Sequence, residues 1–378
     1  MIKLSEKLYF VWFSLSVHAY NKGARRLFEE IRNPEIIYNM QEADFEALGY
    51  LDNNTVSKLM NKNLDAAKRI IEGCDQKGYN IYTVNDVYYP APLLNILYYP
   101  YVIYHRGLNF DYQNQLCISV VGTRNTTPYG VETAKILSRD LALNGALVIS
   151  GMAAGIDTAA HKAAISVTKP TVAVLGTGVD LVTPVSNGDI YDYMVYNGAV
   201  ISEFPPGTKG HPANFPQRNR IISGLCHGLL VVEAPQSSGA LITANMALEQ
   251  GKDIFAVPNS IDRINSYGTN RLIQKNCAKL IMDAMDILEE YPMFVTKQIA
   301  PAETKDKFKK EDFLASVKNL TPLEKVIAEA MGDEPMSIDY ISDRTNVPAN
   351  KILSALTMLE IKNVVKALPG RVFKLNIK

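Results

Sequence analysis

The chain of 378 residues lacks most features that mark membrane, secreted or metal-binding proteins. Its four cysteines, Cys74, Cys117, Cys226 and Cys277, are scattered and form no C-x-x-C pair, so neither a zinc site nor a disulfide framework is indicated. No apolar run reaches the roughly 18 residues that a membrane-spanning helix needs. The apolar stretch at 8–15 lacks a small-residue cleavage site, and we interpret it as a core helix. These absences favour a reduced, cytoplasmic protein without a membrane contact.

An excess of charge of either sign is also missing. Lys and Arg together number 39, Asp and Glu together number 39, and the formal net charge is zero. A protein that coats duplex nucleic acid is usually basic overall, so any nucleic-acid site here must be a local basic patch. Hydrophobic residues make up 47% of the chain, which is enough for a large core. The length suggests about two to three domains.

The signatures of common enzymes are absent as well. The sequence has no H-E-x-x-H, G-x-S-x-G or G-x-x-x-x-G-K-[ST] motif. His161 lies in an alanine-rich helical stretch and is interpreted as a packed residue. Glu203 and Glu233 end strands, where they either act as catalytic carboxylates or, more commonly, pair with nearby arginines. No carboxylate pair indicates a two-metal nuclease, and we expect no catalytic residue, metal or cofactor.

What the sequence does contain is an alternation of strands and helices between about residues 85 and 291. The strand-like runs are apolar and β-branched without polar alternation, which is typical of strands buried on both faces. They lie at 116–121, 146–149, 171–175, 199–201, 229–232 and 254–257, with helical stretches at 130–144, 156–165 and 240–250. This order predicts an α/β domain with a doubly wound, mostly parallel sheet. Such sheets bind ligands outside the carboxyl ends of their strands.

Glycine-rich loops follow several of these strands. They include V-G-T-R at 121–124, S-G-M-A-A-G-I-D at 150–157 and S-G-A-L-I-T at 238–243. Glycine lets backbone N–H groups approach an anion, and a following helix N-terminus favours negative charge. Arg124 either binds a phosphate or pairs with an acid on the rim, and Asp157 either caps a helix or orients a base or sugar. The loops predict an anion-binding surface, with a nucleic-acid backbone as the most suitable ligand.

The most informative segment is F-P-Q-R-N-R-I-I-S-G-L at 215–225. We interpret Arg218, Asn219 and Arg220 as opening a helix after a proline. Cations at a helix start oppose the helix dipole, so we attribute them to function rather than to local stability. Phe215 either belongs to the core or stacks on an unpaired base.

Three further segments surround this central part. Residues 1–84 read as short helices of a helical-hairpin or sterile-alpha-motif-like module, either a scaffold, which we favour, or a contact to the DNA backbone. Residues 292–318 are charged and read as a linker. Residues 319–378 combine a capping box at Thr321 and Glu324 with two more helices and a β-hairpin, which predicts a winged helix.

Taken together, the central motifs resemble those of the DNA-processing protein A family, also called DprA or Smf. The motifs that match in order are V-G-T-R at 121–124, S-G-M-A-A-G-I-D at 150–157, G-T-G-V-D at 176–180, S-E-F-P-P-G-T at 202–208, F-P-Q-R-N-R-I-I-S-G-L at 215–225 and S-G-A-L-I-T-A at 238–244. The resemblance implies a Rossmann-like domain at 85–291 that binds single-stranded DNA. It also implies protection of incoming strands in natural transformation, a homodimer, and help in loading the RecA recombinase.

The resemblance and the loop patterns together define a set of candidate DNA-binding residues. They are Gly122, Thr123, Arg124, Ser150, Gly151, Gly155, Lys209, His211, Phe215, Arg218, Asn219, Arg220, Ser238, Gly239 and Thr243. Many family members have a lysine three residues before the phenylalanine of F-P-x-R-N. This chain has Pro212 there, so Lys209 or His211 is expected to supply the charge. Replacing Arg124 and Arg218 with alanine is expected to weaken DNA binding at a nearly unchanged melting temperature.

Two other functions remain as alternatives. Nucleotide glycosidic-bond hydrolases of the lysine-decarboxylase-like family have a similar architecture and carry P-G-G-x-G-T-x-x-E. Residues 237–243 lack that double glycine, and Met246 stands where the glutamate is required. The winged helix could instead make the protein a transcription regulator, but 319–378 contains only 8 basic against 7 acidic residues. We favour a protein contact or an accessory DNA contact for it, and a non-enzymatic single-strand-binding protein overall.

Overall fold

The computed structural model describes residues 4–294, 317, 320–331, 336–345, 347–368 and 372–376. The chain divides into two compact units, Met1–Lys297 and Gln298–Lys378. Among the residues described, no helix is both long and apolar enough to cross a membrane. Apart from 292–294 and 317, the predicted linker at 292–318 lies outside the described residues. The predicted domain boundaries stay predictions.

The first unit begins with six short helices. They are α1 (Leu4–Ser16), α2 (Lys22–Ile31), α3 (Pro34–Asn39), α4 (Glu42–Leu48), α5 (Asn53–Met60) and α6 (Asp65–Lys77). The side chains of Asn21 and Asp52 cap α2 and α5 by accepting a hydrogen bond from a backbone N–H of the first turn. Helix α6 ends at Gly78, whose backbone adopts the left-handed conformation. The predicted core helix is α1, in which Phe10 and Phe13 are fully buried.

A nine-stranded sheet forms the centre of this unit. Its strands are β1 (Asn80–Thr83), β2 (Val102–Gly107), β3 (Cys117–Val121), β4 (Leu147–Ser150), β5 (Thr171–Val174), β6 (Ala199–Ser202), β7 (Gly228–Val231), β8 (Asp253–Ala256) and β9 (Lys279–Leu280). The spatial order is β1-β2-β6-β5-β4-β3-β7-β8-β9. The pairs β1–β2 and β2–β6 are antiparallel, and the other pairs are parallel.

The six predicted strands are confirmed as β3 to β8, with bounds that agree to within one residue. Strands β1, β2 and β9 were not predicted, and β1 lies in a segment that was expected to be helical. The helical pattern stops at Gly78, and the next residues include Ile81, Tyr82 and Thr83, which favour an extended backbone.

Seven helices connect and cover the strands. They are α7 (Pro128–Leu143), α8 (Ile156–Ser166), α9 (Gly188–Asn197), α10 (Asn214–Leu225), α11 (Gly239–Glu249), α12 (Tyr267–Gln274) and α13 (Met285–Leu288). Helices α7 and α8 pack on one face, and α10 and α11 pack on the other, where the core continues into the N-terminal helices. The predicted doubly wound, Rossmann-like α/β architecture is thereby confirmed.

One helix boundary was predicted wrongly. Helix α10 begins at Asn214, four residues before Arg218, so Arg218 and Arg220 lie beyond its first turn. Pro216 was taken to precede the helix, but proline is tolerated within a first turn, where its missing N–H would have no partner. The unfavourable interaction between these two arginines and the positive end of the helix dipole is therefore weaker than the sequence suggested.

The second unit is a winged helix, as predicted. Its elements are α14 (Pro322–Ala330), β10 (Met336–Ser337), α15 (Ile338–Thr345), α16 (Ala349–Ile361), β11 (Val365–Leu368) and β12 (Val372–Leu375). The strands form an antiparallel sheet in the order β10-β12-β11. Thr321 and Glu324 form the predicted capping box at the start of α14, and Lys362 Nζ lies 2.7 Å from Glu324 Oε2.

Candidate nucleic-acid interface

An open pocket of 540 Å³ lies at the carboxyl edge of the central sheet. The loops after β3, β4 and β7 line it together with α10 and the start of α11. Carboxyl ends of parallel strands meet at one edge, which brings loops that are distant in sequence together. Nine of the predicted residues line this pocket, namely Gly122, Thr123, Arg124, Phe215, Arg218, Asn219, Ser238, Gly239 and Thr243.

The remaining six predicted residues do not line the pocket. Ser150 is fully buried, and its Oγ donates a hydrogen bond of 2.6 Å to the Val120 carbonyl, which links β4 to β3. Lys209 and His211 are exposed on the loop that precedes α10. The other three are Gly151, Gly155 and Arg220, which pack against or bond to neighbouring residues.

Gly151 and Gly155 permit close packing behind the pocket wall. A Cβ atom at Gly151 would lie 2.6 Å from both terminal nitrogens of Arg218. Gly155 has a φ of 87°, and a Cβ atom there would lie 2.4 Å from the Thr123 carbonyl oxygen. Side chains are therefore excluded at both positions, and the two glycines keep the Arg218 guanidinium and the loop after β3 in place.

Arg218 is a buried cation in the pocket wall, with only 4% of its surface exposed. Its Nη1 donates to the Gly151 carbonyl at 2.7 Å and to the Val174 carbonyl, so it joins the ends of two strands. Burial lowers the pKa of Arg218 to about 10, although nearby Asp157 opposes the shift. The guanidinium is still charged at neutral pH. An alanine here would leave two buried carbonyls without a donor, so the expected unchanged melting temperature is revised for Arg218.

Arg220 lies in a different environment. It is 3% exposed, and its two terminal nitrogens donate to the two carboxylate oxygens of Glu203 at 2.6 Å each. Its Nε donates to the Tyr98 carbonyl at 2.6 Å. Burial acts to lower the pKa of Arg220, but the Glu203 carboxylate outweighs it and raises that pKa above its usual value. Both groups stabilise the fold through this bidentate pair.

Arg124 and Phe215 form one side of the pocket. Arg124 is exposed, and among the residues that the structure describes it forms no ion pair. Its guanidinium carbon lies 5.4 Å from the centroid of the half-buried Phe215 ring. Gly176 also packs against that ring, because a Cβ atom there would lie 2.9 Å from Phe215 Cδ1. The arrangement leaves a cation beside an aromatic ring, both accessible from the pocket.

The first turn of α11 also lines the pocket. Ser238 is the N-cap, and its Oγ accepts a hydrogen bond of 3.2 Å from the Ala240 N–H. Thr243 is buried and donates to the Gly239 carbonyl at 3.3 Å. Backbone N–H groups in the first turn of a helix have no partner within that helix, and they bind anions.

The carboxylates near the pocket have structural partners. Asp157 is the one carboxylate among the described residues that line it, and it accepts from the Gly151 and Ala153 N–H groups at 3.1 and 3.3 Å. Burial raises the pKa of Asp157. Glu233 is fully buried and accepts from both the backbone N–H and the hydroxyl of Thr127, at the start of α7. These contacts order the loops and leave no free carboxylate in the pocket.

Sequence reasoning missed two exposed polar residues that line the pocket, Asn125 and Ser237. Each lies next to a predicted loop but has neither a charge nor the conformational freedom of glycine, so no residue-type signal marked it. His161, by contrast, is the packed residue that was predicted. It is fully buried, and its Nδ1 lies 2.8 Å from Thr171 Oγ1.

Comparison with known proteins gives matches along most of the chain. The family model for DNA recombination-mediator protein A matches residues 80–292, and a DprA winged-helix model matches residues 312–371. Protein Smf of Synechocystis sp. is 33% identical over 89% of this chain and 91% of its own length. DNA processing protein DprA of Bacillus subtilis is 38% identical over 59% of this chain and 75% of its own length.

Solved structures agree with these matches. The X-ray structure of DNA processing protein A from Streptococcus pneumoniae superposes with a TM-score of 0.65 at 31% identity, covering 77% of this chain and 99% of that one. DNA processing protein A from Helicobacter pylori superposes with a TM-score of 0.52 at 26% identity, covering 57% of this chain and 98% of that one. The latter structure was described for its mode of binding single-stranded DNA.

Proposed function

Because this chain belongs to the DNA recombination-mediator protein A family, we propose that it binds single-stranded DNA in the pocket at the carboxyl edge of its sheet. The observation that carries the proposal is the exposed Arg124, which has no ion pair in the described part of the chain and lies beside the Phe215 ring, with the Arg218 cation also lining the pocket. Phosphates accept hydrogen bonds from arginines and helix N–H groups, while unpaired bases stack on aromatic rings. The single-strand binding described for the Helicobacter pylori relative supports this assignment.

The proposed activity is binding without catalysis. Glu203 and Glu233 are occupied by Arg220 and Thr127, and Asp157 accepts two backbone N–H groups. None of these carboxylates is placed to act as an acid or base on a ligand in the pocket. Release of a free base from any member of a nucleotide panel would contradict this part of the proposal and restore the glycosidic-bond hydrolase.

The binding proposal is tested by fluorescence anisotropy with a labelled single strand and the matched duplex across a salt series. We expect tighter binding to the single strand than to the duplex. The affinity should fall as salt is added, and the slope of log affinity against log salt concentration reports the counterions released. Arg124→Ala should lower the affinity about tenfold or more, because it removes a charge-assisted hydrogen bond. The control is Arg139→Ala, since Arg139 is exposed on α7 and paired with Asp140. Equal affinity for strand and duplex, or no effect of Arg124→Ala, would refute the proposal.

The proposal extends to a homodimer. Exposed apolar side chains after β8 and β9 support it: Ile261, Ile264 and Met282 are exposed by 96%, 82% and 81%, and Ile261 lines a groove together with Leu280 of β9. Large apolar side chains clustered on a surface indicate a protein interface. Replacing Ile261 and Ile264 with aspartate should halve the mass seen by light scattering. Val185→Asp is the control, at 87% exposure, and a wild-type monomer would refute the dimer.

We further propose that the protein acts in the cytoplasm, where it protects incoming strands during natural transformation and helps to load RecA. The family's designation as recombination mediators supports this role, and the four cysteines are unpaired, with three of them buried. The test is the rate of RecA filament formation on a strand already coated with single-strand-binding protein. The wild-type chain should raise that rate, and Arg124→Ala should raise it less.

A further inference from the structure

A second groove lies at the same edge of the sheet, between α6 and the loops that follow β5 and β6. Its volume is 410 Å³, and its lining residues are Ala66, Arg69, Ile70, Gly73, Lys77, Asp180, Pro206 and Gly207. Both cations in the lining, Arg69 and Lys77, are exposed. Neither forms an ion pair with any residue in the described part of the chain.

Helix α6 separates its charges by face. At about 100° per residue, the five α6 residues that line the groove share one side of the helix. Asp65, Glu72 and Asp75 lie on the other sides, together with Lys68, and none of them lines the groove. Between the two cations, Gly73 leaves the groove open, because a Cβ atom there would meet nothing within 4 Å. The helix thus presents two cations and a bare stretch of backbone to the groove.

The acidic side chain in the groove is already engaged. Asp180 Oδ1 accepts a hydrogen bond of 2.7 Å from the Gly207 N–H, which ties the loop after β5 to the loop after β6. With two cations and one carboxylate, the groove has a net positive charge. Such a surface attracts an anion.

The same two loops connect the groove to the DNA pocket. The loop after β5 contacts the Phe215 ring at Gly176 and lines the groove at Asp180. The loop after β6 lines the groove at Gly207 and then carries exposed Lys209 toward α10. Strands β3 and β6 are three positions apart in the sheet, so roughly 14 Å separates these two strands, whose following loops line the pocket and the groove.

We propose that Arg69 and Lys77 bind backbone phosphates of the same single strand that fills the pocket. The inference rests on the proposed function, since it extends one strand from Arg124 and Phe215 across the two loops to α6. Single-strand-binding proteins commonly combine aromatic stacking with a basic groove that follows the backbone. The N-terminal helices then contribute to DNA binding.

The test compares Arg69→Ala/Lys77→Ala with Lys58→Ala/Lys68→Ala. All four residues are exposed, both variants remove two positive charges, and Lys68 lies on the far side of α6. Affinities are measured by competition for a short strand of two nucleotides, which cannot reach from the pocket to the groove, and directly for a strand of about 16 nucleotides. The groove variant should bind the long strand about tenfold more weakly, with a salt slope smaller by roughly 1.4, which corresponds to two phosphate contacts. Its affinity for the short strand should equal that of the wild-type chain.

Three results would overturn the inference. They are an unchanged affinity of the groove variant for the long strand, an equal loss on short and long strands, and an equal loss in the control variant. The last two would indicate a general electrostatic effect rather than a second phosphate site. Failure of the proposed function is distinguishable, because the wild-type chain would then bind neither strand.

Discussion

Helix α10 contains two arginines, two residues apart, that lie in contrasting regions of the molecule. Arg218 is in the pocket wall, and its neutral hydrogen-bond partners include the Gly151 and Val174 carbonyls. Arg220 lies away from the pocket and is paired with both oxygens of Glu203. Residues two apart on a helix differ by about 200°, which explains why the two side chains point in opposite directions.

The contrast shows how partner chemistry decides what a buried cation can do. A carbonyl partner fixes the guanidinium but leaves its positive charge available to a ligand. A carboxylate partner neutralises the charge, so the pair contributes to the fold and offers little to an anion. We therefore expect substitutions on the Arg220 side to lower stability and those on the Arg218 side to lower DNA affinity.

The largest expected effect is on stability. Glu203→Ala leaves Arg220 buried without its partner, which should lower the free energy of unfolding by about 3–5 kcal/mol. Urea denaturation measures the loss. The control is Glu132→Gln, which removes an ion pair whose members are 65% and 50% exposed and should change stability little. Unchanged stability of Glu203→Ala would remove the distinction between the two arginines.

The next largest effect tests the pocket side of the comparison. Arg218→Ala should weaken single-strand binding by about 1.5–3 kcal/mol, the usual contribution of a charge-assisted hydrogen bond. It should also lower stability, because two carbonyls lose their donor. Arg218→Lys keeps the positive charge but lacks the planar guanidinium, so its affinity should lie between those of Arg218→Ala and the wild-type chain. Loss of stability with wild-type affinity, measured by anisotropy on the folded variant, would assign Arg218 to the fold alone.

Phe215 sharpens the comparison, because it lies on the pocket side without a charge. Phe215→Ala should weaken binding by about 1–3 kcal/mol through the loss of stacking on one base. Phe215→Trp should keep most of the affinity, and the salt slope should be unchanged in both variants, since no phosphate contact is lost. A changed slope in Phe215→Ala would show that the ring acts by positioning Arg124.

The smallest effect concerns pH. Burial lowers the pKa of His105 to about 4 and, together with the charge of Arg218, lowers that of His161 to about 3. Both values lie below the ordinary value of about 6.5, so the unfolded chain binds more protons below that pH. The free energy of unfolding should therefore fall by about 1 kcal/mol between pH 7 and pH 6. Stability that stays flat or rises over this interval would show that these histidines take up protons in the folded state.

The sheet could be predicted well from the sequence and the site only in part. Strands β3 to β8 were located because strands buried on both faces must be continuously apolar, and that pattern is local. Strands β1 and β2 were missed because they form an antiparallel edge that lies outside this pattern. The glycine loops were also found locally, but Ser150 and Ser238 look alike in the sequence, although one is buried between strands and the other caps α11.

By itself the sequence determined the order of strands and helices, the loops that gather at one edge, and the winged helix, because local apolar periodicity and turn residues specify these features. Only the tertiary structure decided that Arg218 faces the pocket while Arg220 pairs with Glu203, and that α6 brings Arg69 and Lys77 to the same edge. These contacts join residues that are separated along the chain. Their formation depends on how each helix is oriented about its own axis and on the order of strands in the sheet, and no local sequence pattern specifies either.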